Sequence, residues 1–227
     1  MAFEFDHLFI CVDVNGMEGD RLVALGLTEG SANTHPGQGT ANRRFFFHNA
    51  MIELLWVHNP AEAQSAPIRR THLWERWQQR QAPTVSPFGI CLRPSPNAVQ
   101  DAVPAVAFDH WDYHPPYLPA HISIAIGTNS DLLSEPMLFH IPFGQRPDQA
   151  PPAKAQPLIH PLGLREISRV EIIHPAAQLS PEFQAALATH TIRHRVGPAH
   201  YLELGFDGEI SGQQVDLRPH LPLVMSW

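Results

Sequence analysis

A few polar side chains in this chain sit where an apolar one is expected. Glu53 lies inside the run "MIELLWV", and His7 inside "FEFDHLFICV". A carboxylate taken out of water is destabilised by several kcal/mol, or gives up its charge, unless a cation, a metal or hydrogen-bond donors face it. Arg43 or Arg44, on the preceding run, would answer Glu53 as a cross-strand ion pair; a metal would answer it equally well. Between them lies "THPGQGTANRR", a loop with its own chemistry. The imidazole of His35 titrates near neutrality and suits a general acid or base, although it would serve as well by capping backbone carbonyls. Gly37 and Gly39 permit positive φ or close approach to a ligand, and an arginine leaving such a loop can grip a carboxylate or phosphate with two parallel hydrogen bonds. Asn42, Arg43 and Arg44 are placed for that task.

These residues need elements to hold them. Alternation in "FEFDHLFICV" predicts a strand with His7, Phe9 and Cys11 on one face and Leu8, Ile10 and Val12 on the other. Leu22, Val23 and Leu25 follow at helical spacing, with Gly26 as a stop. "RRFFFHN" and "MIELLWV", separated by Asn49 and Ala50, read as a hairpin. The first 58 or so residues thus run β-α-β-β-β. Residues 67–81 place Ile68, Leu73, Trp74 and Trp77 along one helical stripe, as in a connecting helix packed on the sheet. A second unit opens at "SPFGICLRP", passes a short helix at "SPNAVQDAV", and continues with strands "HISIAIG" and "PMLFHIPF". In a third, Ser180 as N-cap, Pro181 and Glu182 mark a helix between strands. "PAHISIAIG" echoes "PAHYLELGF", and "PMLFHI" echoes "PLVMSW", which favours a duplicated β-rich module.

Composition narrows the partners. The formal net charge of −7 argues against nucleic acid, whose binders show a basic face. Two cysteines inside apolar runs, Cys11 and Cys91, point to core thiols and a reducing cytoplasm. Neither a run of about 18 apolar residues nor a signal-like N-terminus is evident, so a membrane partner is not expected. The 23 prolines imply short strands and fixed loops.

A βαβββ unit with "FDHLFI" first, "HPGQGTANR" in its loop and "IELLWV" last resembles the vicinal oxygen chelate superfamily, and within it the glyoxalase-like group. The match covers residues 4–58 most closely, with support from "PMLFHIPF". The resemblance implies an α+β fold in which repeated βαβββ modules form curved mixed sheets around a cleft. It also implies a divalent metal (Fe, Mn, Zn or Ni) that chelates adjacent oxygens of a small-molecule substrate. On that pattern His7, Glu53 and His140 are the metal ligands, and Glu53 also serves as a base. Aligning "FIC" on "GIC" sets Pro87 opposite His7, so the second module lacks one ligand. Phe9 and Trp56 line an apolar wall if both turn inward.

The expected organisation is paired βαβββ modules over 1–145, a Pro-rich linker over 146–162 and a third βαβββ-like module over 163–227. Two functions are open: a metal-dependent lyase, isomerase or dioxygenase, or a metal-free small-molecule binding protein of resistance type. A homodimer is the default for paired modules.

Overall fold

The computed structural model describes residues 3–96 and 106–227. β1 (Phe3–Cys11) leads through α1 (Gly19–Leu25) to β2 (Asn33–His35), β3 (Thr40–Phe46) and β4 (Met51–Val57). A connection carrying α2 (Pro60–Ala63) and α3 (Leu73–Gln78) reaches β5 (Phe88–Pro94), β6 (His110–Tyr113), β7 (Ile124–Gly127) and β8 (Met137–His140). The C-terminal part holds β9 (Ile167–His174), α4 (Pro181–Ala186), β10 (Ile192–Val196), β11 (Tyr201–Phe206), β12 (Gln214–Asp216) and β13 (Leu223–Ser226). The short helix expected at "SPNAVQDAV" falls mainly on 97–105, outside the described residues.

The fold is α+β, as expected. Eight strands form one sheet in the order β2-β3-β4-β1-β5-β8-β7-β6. Each half closes in the same way: β4 returns parallel to β1, β8 returns parallel to β5, and the two first strands meet antiparallel at the centre. Alternation along β1 then sorts its side chains. Leu8 and Ile10 turn to the back of the sheet, where Ile52, Leu54, Ile90 and Leu92 join them in one core with Val170, Ile172, Leu202, Leu204 and Met225 of the C-terminal sheet. Burial of each such side chain contributes about 1.5–3 kcal/mol. Phe9 and Cys11 turn to the front, beside Leu55, Cys91, Met137 and Phe139.

The C-terminal sheet is connected differently from the two halves. Its order is β10-β9-β11-β13-β12. β9 pairs in parallel with β10, the strand that directly follows α4, and antiparallel with β11. The expected third βαβββ-like module therefore has another topology, because the strand after its helix returns beside the first strand rather than at the far edge. The segment before it is tied down: His160 accepts from the Thr28 N–H through Nδ1, at 2.9 Å, and its Nε2 lies 2.9 Å from the Phe46 carbonyl. Asn49 brackets Ile167 through both backbone groups.

The helix expected over 67–81 is split by His72, whose φ is +54°, into a 3-10 turn and α3. Trp77 anchors α3 by donating its indole N–H to the Val12 carbonyl at 2.8 Å. Arg76, on the same helix, is wholly buried, and its Nη1 donates to the carbonyls of Ser86, Leu133 and Glu135. Burial brings its pKa down to about 10, so the guanidinium stays charged at neutral pH. It pins α3 to the start of β5 and to the turn before β8. Cys11 and Cys91 are free and buried. No helix among the described residues is long and apolar enough to cross a membrane.

One irregularity interrupts the alternation of β1. Phe5 pairs with Leu92 and His7 with Cys91, so Asp6 is an extra residue, a β-bulge. The bulge turns Asp6 and His7 to the same side, where Asp6 Oδ1 lies 2.5 Å from His7 Nδ1. Arg93 donates to the other Asp6 oxygen at 3.1 Å while also gripping Glu4 and the Asn49 carbonyl. Burial alone would raise the Asp6 pKa; His7 and Arg93 more than offset it and hold the carboxyl below the usual aspartate range.

These buried groups set the expected response of stability to substitution. Arg76→Ala takes the side-chain donor from the carbonyls of Ser86 and Glu135, leaves that of Leu133 to the Ser86 N–H and opens a cavity, and is expected to lower the urea unfolding free energy by about 3 kcal/mol or more. Asp6→Asn is expected to cost about 1–3 kcal/mol at pH 7. Because the folded-state pKa of Asp6 is depressed, its contribution is complete above the ordinary aspartate value and is lost as pH falls through the folded value. Urea titrations of wild type and Asp6→Asn over a pH series should give a constant gap from neutrality into mild acid, and a shrinking gap below it.

Candidate functional site

The front of the eight-stranded sheet opens into a cavity of about 660 Å³. His7 from β1 and Glu53 from β4 stand on its floor, both buried, with His7 Nε2 3.7 Å from Glu53 Oε2. Each is fixed from behind. Asp6 holds the far nitrogen of His7, and Asn42 of β3 donates its amide N–H to Glu53 Oε1 at 2.5 Å. The acid in the apolar strand is thus answered by an amide donor and a histidine, and neither arginine lies within 4.0 Å of it among the described residues.

A second polar line reaches the cavity from the glycine loop. Tyr113 of β6 donates to Gln38 Oε1 at 2.8 Å, Gln38 Nε2 donates to Thr40 Oγ1 at 2.7 Å, and Thr40 Oγ1 lies 2.8 Å from His35 Nδ1. The threonine hydroxyl, which accepts from Gln38, can either donate to His35 Nδ1 or accept from it, so the contact fits both neutral tautomers of the ring. Burial lowers the His35 pKa, with Glu53 opposing, so the ring is neutral in neutral solution. Burial likewise pushes the phenols of Tyr113 and Tyr117 upward, so both remain protonated. Gly39 makes the loop's turn: its φ is +78°, and a Cβ there would stand 2.3 Å from the Asn59 carbonyl oxygen.

The remaining wall is apolar. Phe9 lies across β5 because its pairing partner is Gly89; a Cβ at that position would come 2.0 Å from the Phe9 ring. Phe139, Met137, Ile124 and Leu55 continue this surface. Tyr117 closes on His35 with ring centroids 4.9 Å apart.

Of the residues singled out in the sequence, His7, Phe9, His35, Asn42, Arg44 and Glu53 line the cavity. Arg43, Trp56 and His140 do not. Arg43 alternates to the back of β3, where it meets Glu29, Asp20 and the Gly16 carbonyl. Trp56, three residues from Glu53, packs into the core behind the sheet. His140 pairs with Leu92 and shares its back-facing side, while its neighbour Phe139 faces the cavity; its Nε2 has no partner among the described residues, and burial lowers its pKa. His140 is therefore not brought to His7 and Glu53. Asp6 escaped sequence reasoning because regular alternation would turn it away from His7. Gln38 and Thr40 were visible only as part of the glycine loop, and Tyr113 of β6 sits in "FDHWDYHPPYLP", a sequence without regular apolar alternation.

Among the described residues one trio, Asp6, His7 and Cys91, brings its donor atoms within 4.8 Å of one another. Its members are unequal. Asp6 is already engaged by His7 and Arg93, and burial holds the Cys91 thiol well above its ordinary pKa. The free donors facing the cavity are His7 Nε2 and Glu53 Oε2, and 3.7 Å is close to the separation of two atoms each about 2.1 Å from one ion. An imidazole held from behind by a carboxylate is also the usual support of a metal-bound histidine. The donor set is compatible with a divalent cation.

The glyoxalase-like domain family model matches residues 5–189. Among solved structures, the chain is similar to a hypothetical protein from Staphylococcus aureus, at 13% identity and a TM-score of 0.49, over 100% of this chain and 99% of that one. It is also similar to a mutant 4-hydroxymandelate synthase from Streptomyces coelicolor, at 12% identity and a TM-score of 0.41, over 83% of this chain and 52% of that one. No curated protein sequence matches. With two four-stranded halves of the same strand order joined through β1 and β5, and the family model spanning both and part of the C-terminal sheet, the chain belongs to the glyoxalase-like domain family.

Proposed function

We propose that the chain is an enzyme acting on a small molecule with adjacent oxygen atoms, using a divalent cation held by His7 and Glu53, in a reaction of lyase, isomerase or dioxygenase type. The observation that carries this reading is the pair itself: a nitrogen and an oxygen donor 3.7 Å apart, each oriented from behind, both facing a closed-backed cavity. Iron, manganese, zinc and nickel all accept such donors. When bound, the cation would act as a Lewis acid toward negative charge developing on a substrate oxygen.

The chain's own groups divide the remaining work. Asp6 keeps the His7 ring in one orientation, and Asn42 holds one Glu53 oxygen so that the other is presented. Neutral His35, in the tautomer that carries its ring proton on Nε2, offers a donor to an oxygen that gains charge. The apolar wall of Phe9, Phe139 and Met137 keeps water from the floor, which strengthens each of these interactions.

A second reading, a metal-free binding protein of the same fold, draws on the second half of the sheet. That half supplies only apolar and phenolic side chains to the cavity, with Cys91 buried beneath. Elemental mass spectrometry of untagged protein, purified without chelator, separates the two. The enzyme reading expects near-stoichiometric metal that is lost in both His7→Ala and Glu53→Ala and retained in His140→Ala. Absence of metal after incubation with Fe(II), Mn(II), Zn(II) and Ni(II) would overturn it and leave the binding reading.

A further inference from the structure

Arg44 is the only lysine or arginine among the described residues lining the cavity, and it has no anion. It stands directly opposite Glu53 in the pairing of β3 with β4, yet no carboxylate lies within 4.0 Å of it among the described residues. Among the described residues its side chain hydrogen-bonds from Nε to the Ser31 carbonyl at 2.7 Å, and its guanidinium carbon sits 5.1 Å from the centre of the Phe46 ring. Neither Nη has a protein partner among the described residues. Among the other half-buried or buried arginines, Arg43, Arg80, Arg93, Arg146 and Arg169 each meet a carboxylate, and Arg76, whose Nε and Nη2 have no partner among the described residues, meets three carbonyls through Nη1. A half-buried guanidinium left with a free fork in a cavity is held at a cost that an incoming anion removes.

We propose that the molecule this cavity takes carries a carboxylate, received by the Nη fork of Arg44, on an apolar body that lies over Phe9, Phe139, Met137 and Ile124. This rests on reading the cavity as a small-molecule site and adds the charge and polarity of its occupant. A carboxylate fits better than a phosphate for two reasons. Arg44 is a single cation with the Glu53 carboxylate on the facing strand, so a doubly charged anion is opposed more strongly than a singly charged one. The planar fork also matches the planar two-oxygen group, and the opposite wall is mostly apolar and carries no second cation among the described residues.

Calorimetric titration of the full chain, stripped with chelator, tests this with 3-phenylpropanoate and 4-methylpentanoate against their primary amides. Wild type should bind each acid at least roughly tenfold more tightly than its amide. Arg44→Gln should bring the acids down to the level of the amides while leaving amide binding unchanged, which also reports that the variant is folded. Arg44→Lys should keep part of the preference. Equal binding of acid and amide, a preference that survives Arg44→Gln, no saturable binding of either acid, or tighter binding of inorganic phosphate would each overturn the proposal. Repeating the titrations with metal restored and in His7→Ala separates the two readings. If acids bind only to metal-loaded protein and His7→Ala, not Arg44→Gln, abolishes this, the present proposal fails and the metal reading stands. If stripped and metal-incubated proteins bind acids alike through Arg44, the present proposal stands whatever the fate of the other.

Discussion

A β-strand places successive side chains on opposite faces, and the site depends on one local break of that rule. The bulge at Asp6 lets two neighbours in sequence face the same way, so a carboxylate can support an imidazole without a second strand contributing it. The arrangement of the floor is a consequence. His7 is turned so that its other nitrogen faces Glu53, and the Asp6 charge is linked through Arg93 to Glu4 at the start of the strand. A regular β1 would bury Asp6 in the apolar core behind the sheet, where nothing could compensate it.

The charges of the front face share a common pattern. Asp6 is met by a histidine and an arginine, Glu53 by an amide and a histidine, and the buried Arg76 by backbone oxygens. Each of these buried groups is hydrogen-bonded by groups that are themselves held, which is what allows a polar floor to persist under an apolar wall. Arg44 is the exception within the cavity, and for that reason it is the residue there whose surroundings are least complete.

How far the sequence disclosed this depends on which physical rule governs each residue. Periodicity alone placed β1, the β3–β4 hairpin and their buried faces, because a sheet covered on its back must alternate. His7, Phe9 and Glu53 were legible for the same reason. Arg43 and Trp56 were drawn toward the cavity by their residue types, although parity places them behind the sheet: Arg43 follows Asn42 directly, and Trp56 is an odd number of residues from Glu53. His140 failed through register, since which face a strand of the second half turns forward is set by its pairing with β5 and not by its own sequence. Asp6 was hidden by the bulge, which leaves no mark in composition. The topology of the C-terminal sheet was hidden because a βα unit followed by strands is compatible with more than one strand order.

The two halves share a topology but have diverged in chemistry, and the divergence gives the cavity a direction. Among the described residues, every carboxyl, imidazole and guanidinium group lining it, from Asp6, His7, His35, Arg44 and Glu53, comes from the first half. The second half contributes Ile124, Met137 and Phe139, with Tyr113 and Tyr117 as neutral donors. In a symmetric cleft a ligand could bind either way round. Here a molecule with one polar and one apolar end has a single orientation that satisfies both walls, because reversing it would bury the Arg44 and Glu53 charges against hydrocarbon. The fold thus supplies the symmetric frame, and the lack of charged residues in the lining from one half converts that frame into a site that holds its occupant by one end.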